Sequence, residues 1–466
     1  LAGSGTAHQI DACVGRAQGR AVILCGPGGN GGDGYVIARH LEDRGWTVRC
    51  ISIVVASELS GDTLANRQLW DSLGGETLTL QDKPTARMKH HLGHANVIVD
   101  GLFGTGQRRP VSAAVAELLT WANDTTHGTR VALDLPTGIA ADTGALLGPA
   151  FNAALTTTYG IAKPGLYQSE GASLSGEVVV VPVGLPRMIV DAVGASSRRL
   201  TGSSVSRLLP HRPKDGHKGT FGHVGVVGGA SGMEGASLLA ARGALRTGVG
   251  LVTWNMPRGV QRDLGTPEVM THDATEGLDD RSGVLVVGPG LNTDAEAARL
   301  LDMALECERP VVLDADALTL IAQGGRLLPE GSILTPHPGE AARLLGVTPA
   351  EVQSDRPSAA RRIAERYCST VVLKGAGTLI ASPGEPSCIL DVASPALAVA
   401  GSGDVLAGII AGLRAQGLTD VAAAHAGVWL HGNAGLELAE AGAELGLLAS
   451  EIADAVPGLF ARLNPS

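Results

Sequence analysis

From residue 21 onward, short β-branched runs alternate with longer stretches rich in Ala and Leu. Ala21–Cys25, Thr47–Val55, Val97–Val99, Arg130–Leu133 and Glu177–Val181 are largely apolar, which predicts buried strands. The stretches between them, Gly34–Arg44, Gly61–Leu73 and Val111–Asn123, carry helical spacing. Strand, glycine-rich turn and helix in alternation predict a doubly wound parallel α/β sheet, with ligands gathered at the C-terminal ends of its strands. The pattern lapses over about Arg187–Gly219, where Ser, Arg, Pro, Lys and His follow no period, and this reads as a linker.

The alternation then restarts. His223–Gly228, Gly250–Trp254, Val284–Val287, Pro310–Leu313, Ser332–Leu334 and Thr370–Lys374 are predicted strands. Predicted helices cover Gly235–Thr247, Asp294–Glu306, Gly339–Leu345, Ala359–Tyr367, Asp404–Gln416 and Thr419–Ala441. Two α/β domains follow, over 1–192 and 200–466. A length of 466 residues agrees, being too much for one ordinary core. The chain is 44% apolar and holds 65 glycines, as tight strand-to-helix turns require.

A formal charge of −10 argues against nucleic acid or an anionic membrane as partner. Basic side chains are then local tools for anionic ligands. Cys13, Cys25, Cys50, Cys307, Cys368 and Cys388 form no CxxC pair, which points to reduced thiols and a cytoplasmic setting. The N-terminal residues do not read as a signal peptide. The most membrane-like window, about Val392–Leu413, contains Pro395 and Asp404 and makes a poor spanning helix. A homo-oligomer is expected.

The strongest chemical signal is Ala398–Ile410, where an apolar run meets Gly401-Ser402-Gly403, then Asp404, then a helical pattern. Glycines at a helix start leave N–H groups uncovered, and the helix dipole adds positive potential, so phosphate oxygens fit there. An acid in that first turn is poised to take a proton from a substrate hydroxyl. Together these are the minimal equipment for moving a phosphoryl group onto an alcohol. A glycine-rich helix start with a dipole-compensating acid is the alternative, and the motif by itself leaves both open.

In the N-terminal half, Gly26–Gly34 follows a strand and contains GxGxxG at Gly26, Gly28 and Gly31, the pattern of a dinucleotide-binding turn. Asn30 and Asp33 are not needed for such a turn. Asp100–Gly106 and Asp134–Gly138 are two further turns directly after strands. Each acid singly reads as a turn cap; three in consecutive strands read as a pocket.

These turns, with Ala162–Leu166, resemble the YjeF N-terminal family of NAD(P)H-hydrate epimerases over nearly all of 21–186. The resemblance implies a Rossmann-like sheet and a potassium ion held by Asn30, Asp100 and Thr137. It also implies a nicotinamide hydrate against Gly29, Asn30, Gly31, Gly32 and Asp33 and against Gly104, Thr105 and Gly106. Asp134 and Lys163 would be the catalytic proton carriers. Gly29 stands where the family usually has a second asparagine, and Thr137 where Ser is frequent.

The C-terminal half carries Gly288–Leu291, Asp314–Leu318, Thr335–Glu340, Lys374–Thr378 and Gly401–Asp404 in that order. Over about Leu208–Leu459 this is similar to the ribokinase-like NAD(P)H-hydrate dehydratases, an α/β/α sandwich, and the fusion resembles the bifunctional NAD(P)H-hydrate repair family. The resemblance implies that Asp404 takes the hydroxyl proton of the hydrate, NAD(P)HX, while Gly401, Ser402 and Gly403 hold the phosphoryl group. Lys374, Gly375, Ala376, Gly377 and Thr378 would bind ADP or ATP with Mg²⁺, and Ala236, Gly290 and His337 the hydrate. Val399-Ala400 and Asn292 depart from the family pattern without removing a named group.

Blander readings are preferred elsewhere. His90, His91 and His94 read as a solvated helix end; Asp314 and Asp316 could be catalytic but read more safely as a strand-end turn, and Glu340 could equally be a site acid or a helix-start acid after Pro338. Two alternatives stay open: a ribokinase-like small-molecule kinase, and a dehydratase whose N-terminal domain binds without catalysing.

Overall fold

The computed structural model describes the chain except residues 16–17, 211, 214, 261–265, 393, 444 and 464–466. Residues 211 and 214 of the predicted linker and 464–466 of the predicted second domain thus lie outside the described residues. The chain divides into two compact units, Leu1–Gly194 and Ala195–Ser466.

The first unit is a seven-stranded parallel sheet. Its strands are β1 (Arg20–Cys25), β2 (Thr47–Ser52), β3 (Thr77–Thr79), β4 (Val97–Gly101), β5 (Thr129–Leu133), β6 (Leu155–Tyr159) and β7 (Glu177–Val181). Their spatial order is β3-β2-β1-β4-β5-β6-β7. The order reverses between β1 and β4, which is where an open α/β sheet forms its ligand crevice. Leu24 pairs with Asp100 and Asp100 with Ala132, so the tips of three neighbouring strands end together. Separate apolar clusters on Ile23, Tyr35 and Trp70, and on Leu24, Met88 and Leu118, cover the two faces. That double burial is why the strands read as unbroken apolar runs.

The second unit builds a ten-stranded sheet from β8 (Ser197–Leu200), β9 (His223–Val227), β10 (Leu251–Met256), β11 (Met270–Asp273) and β12 (Val284–Val287). It continues through β13 (Val311–Leu313), β14 (Ile333–Leu334), β15 (Thr370–Leu373), β16 (Leu379–Ala381) and β17 (Ser387–Leu390). The order is β11-β10-β9-β12-β13-β14-β15-β16-β17-β8, antiparallel at β15–β16–β17 and parallel elsewhere. Helix Ser402–Ala415 lies against helix Glu234–Arg246 at glycine contacts. A Cβ on Gly408 would fall 1.9 Å from the Ala240 carbonyl oxygen, and one on Gly243 would fall 2.4 Å from that of Val405. Those two glycines let the backbones approach closely enough to seat the head of helix Ser402–Ala415 over the sheet.

Several expectations are corrected. The predicted linker holds helices Arg187–Val193 and Gly202–Ser206 and the strand β8, which pairs with β17. The segment Ser197–Leu200 places one buried leucine beside two exposed arginines, too little apolar signal to read as a strand. The strand predicted over Thr47–Val55 ends at Ser52, where the Ser52 hydroxyl donates to the Val54 carbonyl and turns the chain. Helix Gly29–Asp43 starts five residues earlier than predicted, inside the glycine run. Among the described residues no helix is long and apolar enough to cross a membrane, and all six cysteines are free thiols.

Candidate active sites

In the first unit, the tips of β1, β4 and β5 bring together the three polar turns. Gly26 and Gly31 have no room for a side chain: a Cβ on Gly31 would fall 1.9 Å from the Gly26 carbonyl oxygen, and one on Gly26 would fall 1.8 Å from that of Leu102. The helix therefore begins at Gly29, and Asn30 and Asp33 sit in its first turns. The Asn30 amide donates to the carbonyls of Phe103 and Leu133, both at 2.8 Å, which commits its NH₂ end and leaves the oxygen as the acceptor end.

Asp100 is fully buried. It accepts from the Thr137 N–H at 2.7 Å and hydroxyl at 2.8 Å, and from the Leu102 N–H at 3.2 Å. Burial pushes its carboxyl up to about 6, against the pull of those hydrogen bonds, with no basic side chain among the causes. Asp134 has a backbone φ of 65°, unusual for a residue with a side chain. One of its oxygens lies 2.6 Å from Lys163 Nζ, and the other accepts from Thr105 N–H at 3.4 Å. Lys163 also donates to Thr158 Oγ1 and the Tyr159 carbonyl. A Cβ on Gly104 would lie 2.9 Å from that second Asp134 oxygen. Asp33 is raised by burial and, more weakly, by the Asp134 charge, which places both acids in one field. Beside them Phe103, Gly106 and Gln107–Val111 line a cavity of about 320 Å³.

In the second unit the tips of β13, β14 and β15 meet the head of helix Ser402–Ala415. Gly401 caps that helix with φ 86°, and Asp404 lies in its first turn. Lys374, at the end of β15, turns its ammonium inward: it lies 2.6 Å from Asp314 and 4.0 Å from Glu340. A Cβ on Gly403 would stand 3.0 Å from Lys374 Nζ and 3.6 Å from Asp314 Oδ2, so the cluster reaches the glycine turn. Burial, then the Asp314 charge, pushes Asp404 up to about 7, opposed by Lys374. Burial also carries Glu340 up to about 7. For Lys374, burial is outweighed by Asp314, Glu340 and Asp404, which hold the ammonium above its ordinary range. The proton affinity of Asp404 is thus set by burial together with the charges around it.

His337 caps helix Pro338–Leu345 by accepting the Gly339 N–H at its Nδ1, 2.9 Å, and Glu340 closes the box by accepting the His337 N–H at 2.7 Å. Gly290 sits at φ 59° with the Ala236 methyl 3.2 Å from where its Cβ would be. Behind the Gly401–Gly403 turn, the buried His431 Nε2 lies 3.0 Å from both the hydroxyl and the carbonyl of Ser402. Arg356, buried, donates to the Leu373 and Lys374 carbonyls and props the turn Gly375–Thr378. No sequence pattern pointed to Arg356 or His431. Asp314 is not only a strand-end turn residue, since it pairs with Lys374 in the cluster. Glu340 is a cap, but it is also part of the cluster. His90, His91 and His94 line a cavity of about 250 Å³ with Arg20 and Arg49, at the opposite ends of β1 and β2. Among the described residues no group of three metal-ligating side chains forms.

Comparison with known proteins bears on both units. A family model described as NAD(P)H-hydrate dehydratase matches residues 224–458, and one described as YjeF-related protein N-terminus matches residues 1–165. The bifunctional NAD(P)H-hydrate repair enzyme Nnr of Moorella thermoacetica is 40% identical over 96% of this chain and 88% of its own length. The Escherichia coli protein of the same description is 35% identical, covering 92% and 83%. The second unit is similar to the ADP/ATP-dependent NAD(P)H-hydrate dehydratase of Bacillus subtilis, solved with ATP and Mg²⁺. That match has a TM-score of 0.52 and 31% identity, over 57% of this chain and 99% of the other.

Proposed function

The chain belongs to the bifunctional NAD(P)H-hydrate repair enzyme family, and from that premise we propose how its two sites divide the work on NAD(P)HX. The observation that carries the reading is Asp404: a carboxylate at the head of a helix, held near neutrality by burial beside Asp314 and Lys374. In the second unit, Asp404 takes the proton of the hydrate's hydroxyl as its oxygen attacks the terminal phosphoryl group of ADP or ATP. The N–H groups at Gly401, Ser402 and Gly403 and the charge of Lys374 stabilise the transferring group. Lys374–Thr378 binds the nucleotide, which carries Mg²⁺ with it; the metal supplies counter-charge to the phosphates. Gly290, Ala236 and His337 form the wall for the hydrate. Phosphate is a far better leaving group than hydroxide, and its departure restores the dihydronicotinamide.

In the first unit, Asp134 moves the proton of the hemiaminal-type hydroxyl, so that the carbon opens and recloses on either face. Lys163 holds Asp134 in place. Gly29–Asp33 and Gly104–Gly106 hold the hydrate. The donor set of Asn30, Asp100 and Thr137 fits K⁺: a fully buried carboxylate with dipolar partners, next to an amide oxygen and a hydroxyl, suits a hard monovalent cation. K⁺, when bound, supplies the positive charge that Asp100 otherwise lacks. The six free thiols support action in a reducing, cytoplasmic setting.

The test is recovery of near-ultraviolet dihydronicotinamide absorbance from NADHX with Mg²⁺ and ADP or ATP. Wild type recovers it, and Asp404→Asn loses about 10²- to 10⁴-fold in rate. Nucleotide consumption without recovered absorbance, on this or another alcohol, would favour a simple kinase.

A further inference from the structure

Removing phosphate from the hydrate breaks two bonds. The C–O bond to phosphate breaks with its electron pair leaving on oxygen. A C–H bond on the adjacent ring carbon also breaks, and its pair becomes the restored C=C bond. That second proton needs an acceptor, and Asp404 has already taken one from the hydroxyl in the preceding step.

We propose that Glu340 is this second base, accepting the ring-carbon proton as phosphate departs; the proposal rests on the dehydratase reading above. The neighbouring titratable groups are each committed elsewhere. Asp314 is 1% exposed, with one oxygen held 2.6 Å from Lys374. Asp316 accepts the Asn292 N–H at 2.8 Å. His337 faces the open side of the cluster, with its side chain 51% exposed. Its Nδ1 is spent on the Gly339 N–H, which leaves the proton on Nε2, so neither ring nitrogen offers a free lone pair. That ring donates; it does not accept.

Glu340 is different. Its Oε2 accepts one backbone N–H and stands 4.0 Å from Lys374, while Oε1 faces His337 Nε2 at 3.4 Å, too long for a strong bond. It sits at the tip of β14, beside the β15 tip from which Lys374 reaches to the glycine turn. The carboxylate is therefore within the same cluster as the phosphoryl site, yet Lys374 stands farther from it, at 4.0 Å, than from Asp314, at 2.6 Å. Burial raises its basicity toward neutrality, which suits a group that must take and release a proton each turnover.

The experiment is a single turnover of the full chain with NADHX and nucleotide, following nucleotide consumption and dihydronicotinamide absorbance separately. The hydrate is used with hydrogen and with deuterium on the ring carbon next to the hydroxyl. Glu340→Gln keeps an acceptor for the His337 N–H but cannot take a proton. It is expected to consume one equivalent of nucleotide at close to the wild-type rate while absorbance recovers about 10²- to 10⁴-fold more slowly. A phosphorylated hydrate should accumulate, and the deuterium effect should fall on absorbance alone. Glu340→Asp keeps a carboxylate and should restore part of the elimination rate. Loss of both steps together in either folded variant would make Glu340 structural. Unchanged elimination would make the departing phosphate its own base. Either result overturns the proposal. Failure of wild type to yield dihydronicotinamide would instead remove the dehydratase reading itself.

Discussion

Replacing Asp314 by Asn isolates what sets the proton affinity of Asp404. Asp404 stands about three pH units above an ordinary aspartate, 7 against 3.8. Burial is the leading cause and Asp314 the largest charge contribution, followed by Asp316 and Glu340, with Lys374 opposing. An adjacent like charge raises a carboxyl by on the order of one unit, which is ~1.4 kcal/mol. Asparagine keeps the shape and removes the charge, and it releases Lys374 from its 2.6 Å partner toward Asp404. Both changes favour the ionised aspartate, so the sign is the same for each. The acid limb of kcat/KM for the hydrate, rising near pH 7 in wild type, should move to about pH 6. At pH 6 the base form then grows from about a tenth to about a half. Each enzyme's rate, taken relative to its own plateau, should therefore be about five-fold higher in the variant. The assay is initial-rate nucleotide consumption across pH at subsaturating hydrate. A limb that stays in place, or moves to higher pH, would refute the electrostatic account of the cluster.

Three further outcomes follow from other contacts. Gly408→Ala drives a methyl into the Ala240 carbonyl and should destabilise the second unit by about 1–3 kcal/mol, read as a lower melting temperature. Burial lowers His431 to about 4 from 6.5. The unfolded chain therefore binds the extra proton between those values, and stability present above pH 6.5 is lost progressively as pH falls toward 4. The total is about 3 kcal/mol, and His431→Gln should flatten that part of the pH–stability curve measured by denaturant titration. Potassium chloride should raise the melting temperature of the first unit more than sodium chloride at equal ionic strength, and Asp100→Asn should abolish the difference.

The layered α/β plan was legible because strands buried on both faces leave unbroken apolar runs, as Val284–Val287 and Val97–Val99 do. The glycine turns were legible as well, since positions such as Gly31 tolerate no side chain. Edge elements were not: β8 buries a single leucine, and β3 is three half-buried residues. In the sites, residues on motif turns were visible, whereas Arg356 and His431 act from helices distant in sequence. Glu340 was visible in its motif, but its two readings could not be separated. It performs a cap's duty, and the local signature of a cap masks the approach of Lys374 from β15. Tertiary approach of that kind leaves no trace in spacing.

Two sites in one chain act on the same damaged cofactor. That division of labour is tested most directly by giving the protein a mixture of both NADHX epimers with Mg²⁺ and nucleotide. Recovery of dihydronicotinamide absorbance is followed in wild type and in Asp134→Asn. The account predicts complete recovery by wild type, and in the variant a fast phase that stops at the share of the reactive epimer. Identical, incomplete recovery by both proteins would contradict it and leave the first unit without a catalytic role.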